Sequence, residues 1–339
     1  MLCPGERALT EYRQTRPGSL PPPAIYHPFS DGRYSVKPNL FKLGFDFGNP
    51  GMDGKILQLD NQFHEYREQK LSARKVNIDQ YFCEDELDTK AWHGPVNKIL
   101  ADLLVSDYPQ HFRIDATPEG WRLHCNLSQE ILAFNINNRF VPATSSCNNL
   151  LPGYRSGIDA LACQFQEDIC VLGSGKESDR LVTAHLCFPN RWSPAEKIGG
   201  NFATIHQPVA GFNSANPRTG SLVRALLHGG PYVRFAWGLS SDRYLDHHPS
   251  KVTSIRFKHA GDPLFVRIER QVLYGLPGHG IILFFIRTYF LDCQELCNDP
   301  YSNRRLGKAL DSMNDNELAY KGLDQCRDQV TGWLASVRS

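Results

Sequence analysis

The stretch PLFVRIERQVLYGLPGHGIILFFIRTYF, Pro263 to Phe290, decides the fold. Two runs rich in Val, Ile, Leu, Phe and Tyr flank GLPGHG, Gly275 to Gly280, and each has the length and composition of a β-strand. The connection lacks GxGxxG spacing and lies between strands, so its glycines serve a tight turn and not a phosphate cradle. A short connection between adjacent strands implies antiparallel pairing. Side chains alternate along such strands, so Arg267 and Glu269 share a face and Arg270 takes the other.

Working outward, GWRLHCNLS, EDICVL, RLVTAHLCFP and PYVRFAWGLS repeat the strand pattern from about Gly120 onward. GSGKESD, Gly173 to Asp179, reads as another hairpin; the phosphate-loop spacing GxxxxGK[ST] would need glycine where Cys170 stands. Helical spacing appears earlier, in QFHEYREQKLSARKV and PVNKILADLLVSDYP, and returns from RRLGKALDSM to TGWLASVRS. The expected class is α+β: an antiparallel sheet with helices packed on one side and a helical N-terminal portion. Residues 1–35 hold Pro4, Pro17, Pro21, Pro22, Pro23 and Pro28 and read as an extended arm, with one domain over 36–339.

Composition removes several function classes. Lys plus Arg total 37 against 36 for Asp plus Glu, a net charge of +1, so no global field draws nucleic acid or an anionic membrane. The N-terminus carries charges where a signal peptide has its apolar core, and the apolar run GIILFFI is far short of the ~20 residues that span a bilayer. A soluble, cytoplasmic protein is expected. The ten cysteines include no CxxC pair, which argues against a zinc knuckle, an iron–sulfur site or covalent haem attachment.

Candidate site residues remain few. His206, in KIGGNFATIHQPVAGF, stands in an apolar segment where Gly199 and Gly200 allow close approach of a flat group; it is either a satisfied core histidine or a ligand. Glu167 and Asp168 fall on opposite faces of a strand, so one of them faces inward, suited to a cationic amine or to proton transfer, unless both are solvated. Arg234, Arg267, Arg270 and Arg287 lie on strands, where each can pair with a protein carboxylate or with a cofactor propionate. His247 and His248, near Asp242 and Asp246, read as a solvated loop, and His185 as a satisfied sheet histidine.

Taken together and in order, FQEDICVL, LCFPNRWSPAEKIG, IHQPVAGFN, PYVRFAW and the Pro263–Phe290 hairpin resemble the haem-dependent oxidative N-demethylase alpha-subunit family, from about Lys42 to Leu296 and with the LDNQFHEYREQKL helix included. The resemblance implies a PAS-like antiparallel sheet enclosing haem b, with electrons from NAD(P)H arriving through separate flavin and iron–sulfur reductase subunits. It implies His206 as the iron ligand, and Glu167 as the acid that holds a small amine's ammonium or manages protons beside the iron. Lys197, Arg234 and Arg270 match basic positions that could meet the propionates. The reaction implied is O2-dependent oxidative demethylation of a small N-methyl amine with release of formaldehyde. A non-catalytic haem sensor or binding module, or a haem oxidase of a specialised amine metabolite, is the alternative. The chain departs from the family pattern at Ala210, Ala236, Val272 and Gly275, where Pro, Asn, Thr and Arg are expected.

Overall fold

The computed structural model describes residues 19–36, 39–88, 90–147, 150–174, 179–209, 219–251 and 255–337. Its strands are β1 (Phe41–Lys42), β2 (Phe82–Glu84), β3 (Phe112–Thr117), β4 (Gly120–Cys125), β5 (Glu130–Asn135), β6 (Asp168–Ser174), β7 (Asp179–His185), β8 (Tyr232–Ser240), β9 (Phe265–Leu276) and β10 (Ile281–Asp292). Its helices are α1 (Phe63–Tyr81), α2 (His93–Asp107), α3 (Gly157–Ala162), α4 (Pro194–Lys197), α5 (Phe202–His206), α6 (Thr219–Gly229), α7 (Cys293–Leu296), α8 (Pro300–Asp311), α9 (Asp315–Lys321) and α10 (Arg327–Ser336). The class is α+β, and no helix among the described residues is long and apolar enough to cross a membrane.

The Pro263–Phe290 hairpin is the centre of the sheet. β9 and β10 pair antiparallel from Phe265↔Asp292 to Leu276↔Ile281. They are joined by a single turn of 3-10 helix, Pro277–His279, and by Gly280 at φ 62°, a conformation that glycine adopts without Cβ strain. Around this pair the large sheet runs β1-β8-β9-β10-β6-β7-β2, antiparallel at every contact. The GSGKESD hairpin joins β6 to β7, and its tip, residues 175–178, lies outside the described residues. A second sheet, β3-β4-β5, packs with α2 and α3 over the large sheet's first face. Two of its strands, Phe112–Thr117 and Glu130–Asn135, carry no strand signal in the reading above, because FRIDAT mixes charge into a short run that only cross-strand partners stabilise.

The two faces of the large sheet are covered differently. On the first face Val233, Val272, Leu283, Phe285, Ile169 and Val171 enter one apolar cluster with α2, α3 and the small sheet. Farther along, Trp237, Val266, Ile268 and Tyr289 meet α8 and α10. From Ser19 the Pro-rich lead-in runs onto this region, where Tyr26 and Phe29 are buried. On the second face Cys170, Leu172, Leu273 and Ile282 lie under Val223, Leu226 and Leu227 of α6. Each buried aliphatic or aromatic side chain of this kind contributes roughly 1.5–3 kcal/mol relative to exposure.

Gly275 sets how closely α6 approaches. A Cβ there would stand 2.1 Å from the Leu227 carbonyl oxygen and 2.5 Å from that of Leu226, so helix backbone lies directly on the strand. Gly275→Ala is therefore expected to push α6 off the sheet and cost about 2 kcal/mol, measured as a lowered denaturation midpoint.

Both acids of the EDICVL strand are buried. Asp168 accepts the backbone N–H groups of Cys187 at 2.9 Å and Phe188 at 2.7 Å, tying the exit of β7 to the start of β6. Burial pushes its carboxyl up to about 6, with Lys70 opposing. Asp168→Asn leaves one N–H facing an amide NH2 and is expected to cost about 2 kcal/mol. The native carboxyl holds its proton to about pH 6, whereas an unfolded one releases it near ~4. Its contribution to stability accordingly falls as pH rises across that window, so the gap between wild type and Asp168→Asn narrows from pH 4 to pH 6 in paired denaturation curves.

Candidate functional site

His206 closes α5, a five-residue helix whose start is written locally. Asn201 accepts the Thr204 N–H at 2.8 Å as N-cap, and the Asp179 carboxylate accepts the Phe202 N–H. Gln207 keeps helical dihedrals, φ −51° and ψ −37°, although Pro208 follows it, and the helix stops at this residue. Phe202 packs into the apolar cluster of the second face, which places α5 on that side of the sheet. The imidazole stacks on Phe202 at 4.1 Å between ring centroids, and its Nδ1 is 2.8 Å from the Phe202 carbonyl oxygen. A carbonyl only accepts, so Nδ1 carries the proton and the ring's lone pair is on Nε2. Burial lowers the His206 pKa, and the charges of Arg234 and Lys197 lower it further, keeping the ring neutral near pH 7.

The surroundings of His206 are basic. Lys197, at the end of α4, donates to the Ile205 carbonyl at 2.6 Å. Arg234 projects from β8 onto the second face, opposite Gln271 of β9. Burial lowers its pKa, with Glu269 opposing, and its Nε has no acceptor among the described residues. Arg234, Ala236, Gln271 and Phe284 stay half-exposed although they lie on central strands of the sheet. The cover is therefore thin over this patch, beside His206.

Glu167 and Arg270 lie elsewhere. Alternation in the β9–β10 register puts Arg270 opposite Arg287 on the first face, and Glu167 closes against the same face. Glu167 is 1% exposed; its Oε1 accepts the Gln58 N–H at 2.7 Å, and Oε2 has no partner among the described residues. Arg270 donates to the carbonyls of Lys55 at 2.7 Å and Ile56 at 3.3 Å. Arg287 pairs with Asp60 at 2.6 Å, both fully buried. Gln58 links this group to Tyr26 at 2.8 Å and Tyr289 at 2.6 Å. Lys70 of α1 donates to the carbonyls of Ala162, Phe165 and Glu167. Burial raises the Glu167 pKa while Arg287 and the Gln58 N–H hold it down. These residues fasten the 55–60 segment and the FQED turn to the sheet. Thus the structure brings His206, Lys197 and Arg234 together on one face and sets Glu167 and Arg270 on the other.

The remaining histidines have other partners. His185, fully buried, lies 3.2 Å from Asp159, whose carboxylate is gripped by Arg74 through two bonds of 2.8 Å. Cys163 and Cys187 adjoin the ring, giving two sets of three potential metal donors within 4.8 Å. With Asp159 held by Arg74, Asp168 by two backbone N–H groups, and both thiols pushed up by burial, the donor chemistry suits a cation poorly. His247 pairs with Asp242 at 2.9 Å and His248 contacts Ser250 at 2.8 Å, so the adjacent pair does not converge. Clefts of about 380 Å³, beside Arg191 and His247, and about 500 Å³, beside Tyr66 and Phe290, are not lined by His206.

Of the four departures noted in the sequence, Ala210 lies outside the described residues. Val272 is core on the first face, and Ala236 belongs to the half-exposed patch on the second. Gly275 is closed off by α6. The sequence reading missed Lys321, which α9 brings over Gly238 of β8 on the same face; its only sequence signal is a lysine in the last turn of a helix.

The residues on the second face fit haem. They comprise a neutral imidazole with its lone pair on Nε2, held by a backbone carbonyl, and basic groups able to meet carboxylates, beside half-exposed Ala236 and Phe284. The family model described as haem-dependent oxidative N-demethylase, alpha subunit-like, matches residues 51–331. That match takes in the His206 segment, the FQED turn, the central hairpin and α9, and on its strength the chain belongs to the haem-dependent oxidative N-demethylase alpha-subunit-like family.

Proposed function

We propose that this chain is a haem-dependent mono-oxygenase that demethylates a small N-methyl amine in the cytoplasm, with His206 as the iron ligand through Nε2. The observation that carries this reading is the Nδ1–H donation from His206 to the Phe202 carbonyl, which fixes ring orientation and tautomer as a metal-bound histidine requires. The strand order β7-β6-β10-β9-β8, with the α4–α6 segment crossing one face, supports a PAS-like haem domain. Haem b, when bound, supplies the activation of O2. In the overall reaction one oxygen atom enters the N-methyl carbon and the other leaves as water, consuming two electrons and two protons. The carbinolamine then breaks its C–N bond, releasing formaldehyde and the demethylated amine.

Within this reading the protein's own groups divide the work. Phe202 and Asn201 hold the His206 ring in place, and burial, with the charges of Arg234 and Lys197 adding to it, keeps the ring neutral. Glu167, with Arg287, Asp60 and Lys70, anchors the FQED turn on the far side of the sheet and acts as a positioning residue. Electrons come from NAD(P)H through flavin and iron–sulfur partner subunits; the "alpha subunit" in the family description supports partners of other kinds.

An absorption spectrum of the haem-reconstituted chain, before and after dithionite and carbon monoxide, tests the reading. A Soret band that responds to both is expected, and His206→Ala should shift it or abolish haem retention; an unaltered spectrum in that variant moves the ligand to another residue. Formaldehyde release from an N-methyl amine with O2 and a reductant separates an enzyme from a haem sensor. Glu167→Gln should leave the Soret band in place and lower the melting temperature by only about 1–2 °C, since about 1 kcal/mol is at stake in a domain of this size.

A further inference from the structure

The second face carries more positive charge than its protein partners neutralise. Arg234 lies over the β8–β9 part of the sheet with no acceptor for Nε among the described residues. Gly238, four residues along β8, points to the same face, and a Cβ there would meet the Cδ of Lys321 at 3.4 Å, so the lysine stem runs over the strand at this point. The ammonium ends between aromatic rings, 5.3 Å from the centroid of Tyr320 and 5.7 Å from that of Tyr34. No hydrogen bond or ion pair ties it to another described residue. Burial pushes Lys321 down to about 8, the charges of Arg191 and Arg234 adding to that and Glu269 opposing. Glu269, itself buried, accepts from Gln271 at 3.0 Å and is the one carboxylate among the described residues that influences both Arg234 and Lys321. Two cations facing one carboxylate, one of them beside the half-exposed Ala236, call for an anion from outside the protein.

We infer that Lys321 and Arg234 together bind a haem propionate carboxylate, and that Arg270 does not. The inference rests on the haem reading above and names residues within it. Lys321 comes from the C-terminal helical segment, which otherwise packs on the first face through Leu318 and Leu323; α9 therefore reaches around the edge of the sheet, where β8 has no neighbour beyond its pairing with β1 at Tyr232 and Val233. Gly322, at φ 67°, ends α9 immediately after the lysine. Arg270 is committed to the carbonyls of Lys55 and Ile56 on the opposite face.

The test uses the full chain reconstituted with haem or with haem dimethyl ester, whose propionates carry no charge, and follows transfer of each to excess apomyoglobin by the Soret band. Lys321→Gln and Arg234→Gln should each speed haem loss about tenfold, the scale of one charge-assisted hydrogen bond, and leave loss of the ester unchanged. Lys308→Gln, on the exposed side of α8, controls for net charge and should alter neither rate. Equal acceleration for haem and ester, or no acceleration for either variant, overturns the inference while leaving the haem reading standing. A wild-type chain that takes up neither compound overturns both. Melting temperatures of the loaded variants, expected within a few degrees of wild type, show that a changed rate is not unfolding.

Discussion

The register between β9 and β10 is the constraint on which the rest of the structure depends. Twelve consecutive pairs fix which side chains enter which face, because a slip by one residue would exchange the two sets. With Arg270 opposite Arg287 and Glu269 opposite Thr288, the first pair is committed to the closed interior and the second to the half-covered side. Both faces are dense in ionisable groups, so the cost of a slip would be electrostatic as well as hydrophobic: Arg270 and Arg287 would leave the carbonyls and the carboxylate arranged for them.

Those two faces treat charge in different ways. On the first, Lys70 has three carbonyls, Arg287 has Asp60 and Arg270 has the 55–56 backbone, while Nε of Arg270 and of Arg287 and Oε2 of Glu167 have no partner among the described residues. Such a network costs desolvation and repays it through geometry, and its effect is to hold the 55–60 segment and the FQED turn in one arrangement. On the second face Arg267 is held by the carbonyls of Tyr244, Leu245 and Phe188, whereas Arg234 and Lys321 face only Glu269, and the sheet floor is half-exposed around Arg234 and Phe284. The sheet thus separates a closed, heavily bonded face from a more open, cationic one.

Family membership gives His206 its context, and the geometry accounts for its chemistry. A short helix capped at Asn201 and Asp179 presents the imidazole, and a carbonyl four residues back selects its tautomer. The close seating of α6 against Gly275 brings the covering helix down beside this segment. A side chain larger than hydrogen at 275 would hold α6 away from the sheet.

The sequence alone determined the central hairpin, the antiparallel sheet that extends from it, the principal helices and His206 as the histidine in an unusual setting. Strand periodicity and turn glycines are local properties, and FVRIERQVLYG alternates whatever surrounds it. It also determined that Arg267 and Arg270 must part to opposite faces. What it left open was which face each motif meets, because that depends on how the helical segments cross the sheet. Glu167 and His206 lie in motifs that follow each other along the chain, yet only the path of α4–α6 over the second face separates them. Lys321 was illegible for the same reason: its place over Gly238 comes from a C-terminal helix wrapping the β8 edge, a contact between residues 83 positions apart that no local pattern encodes.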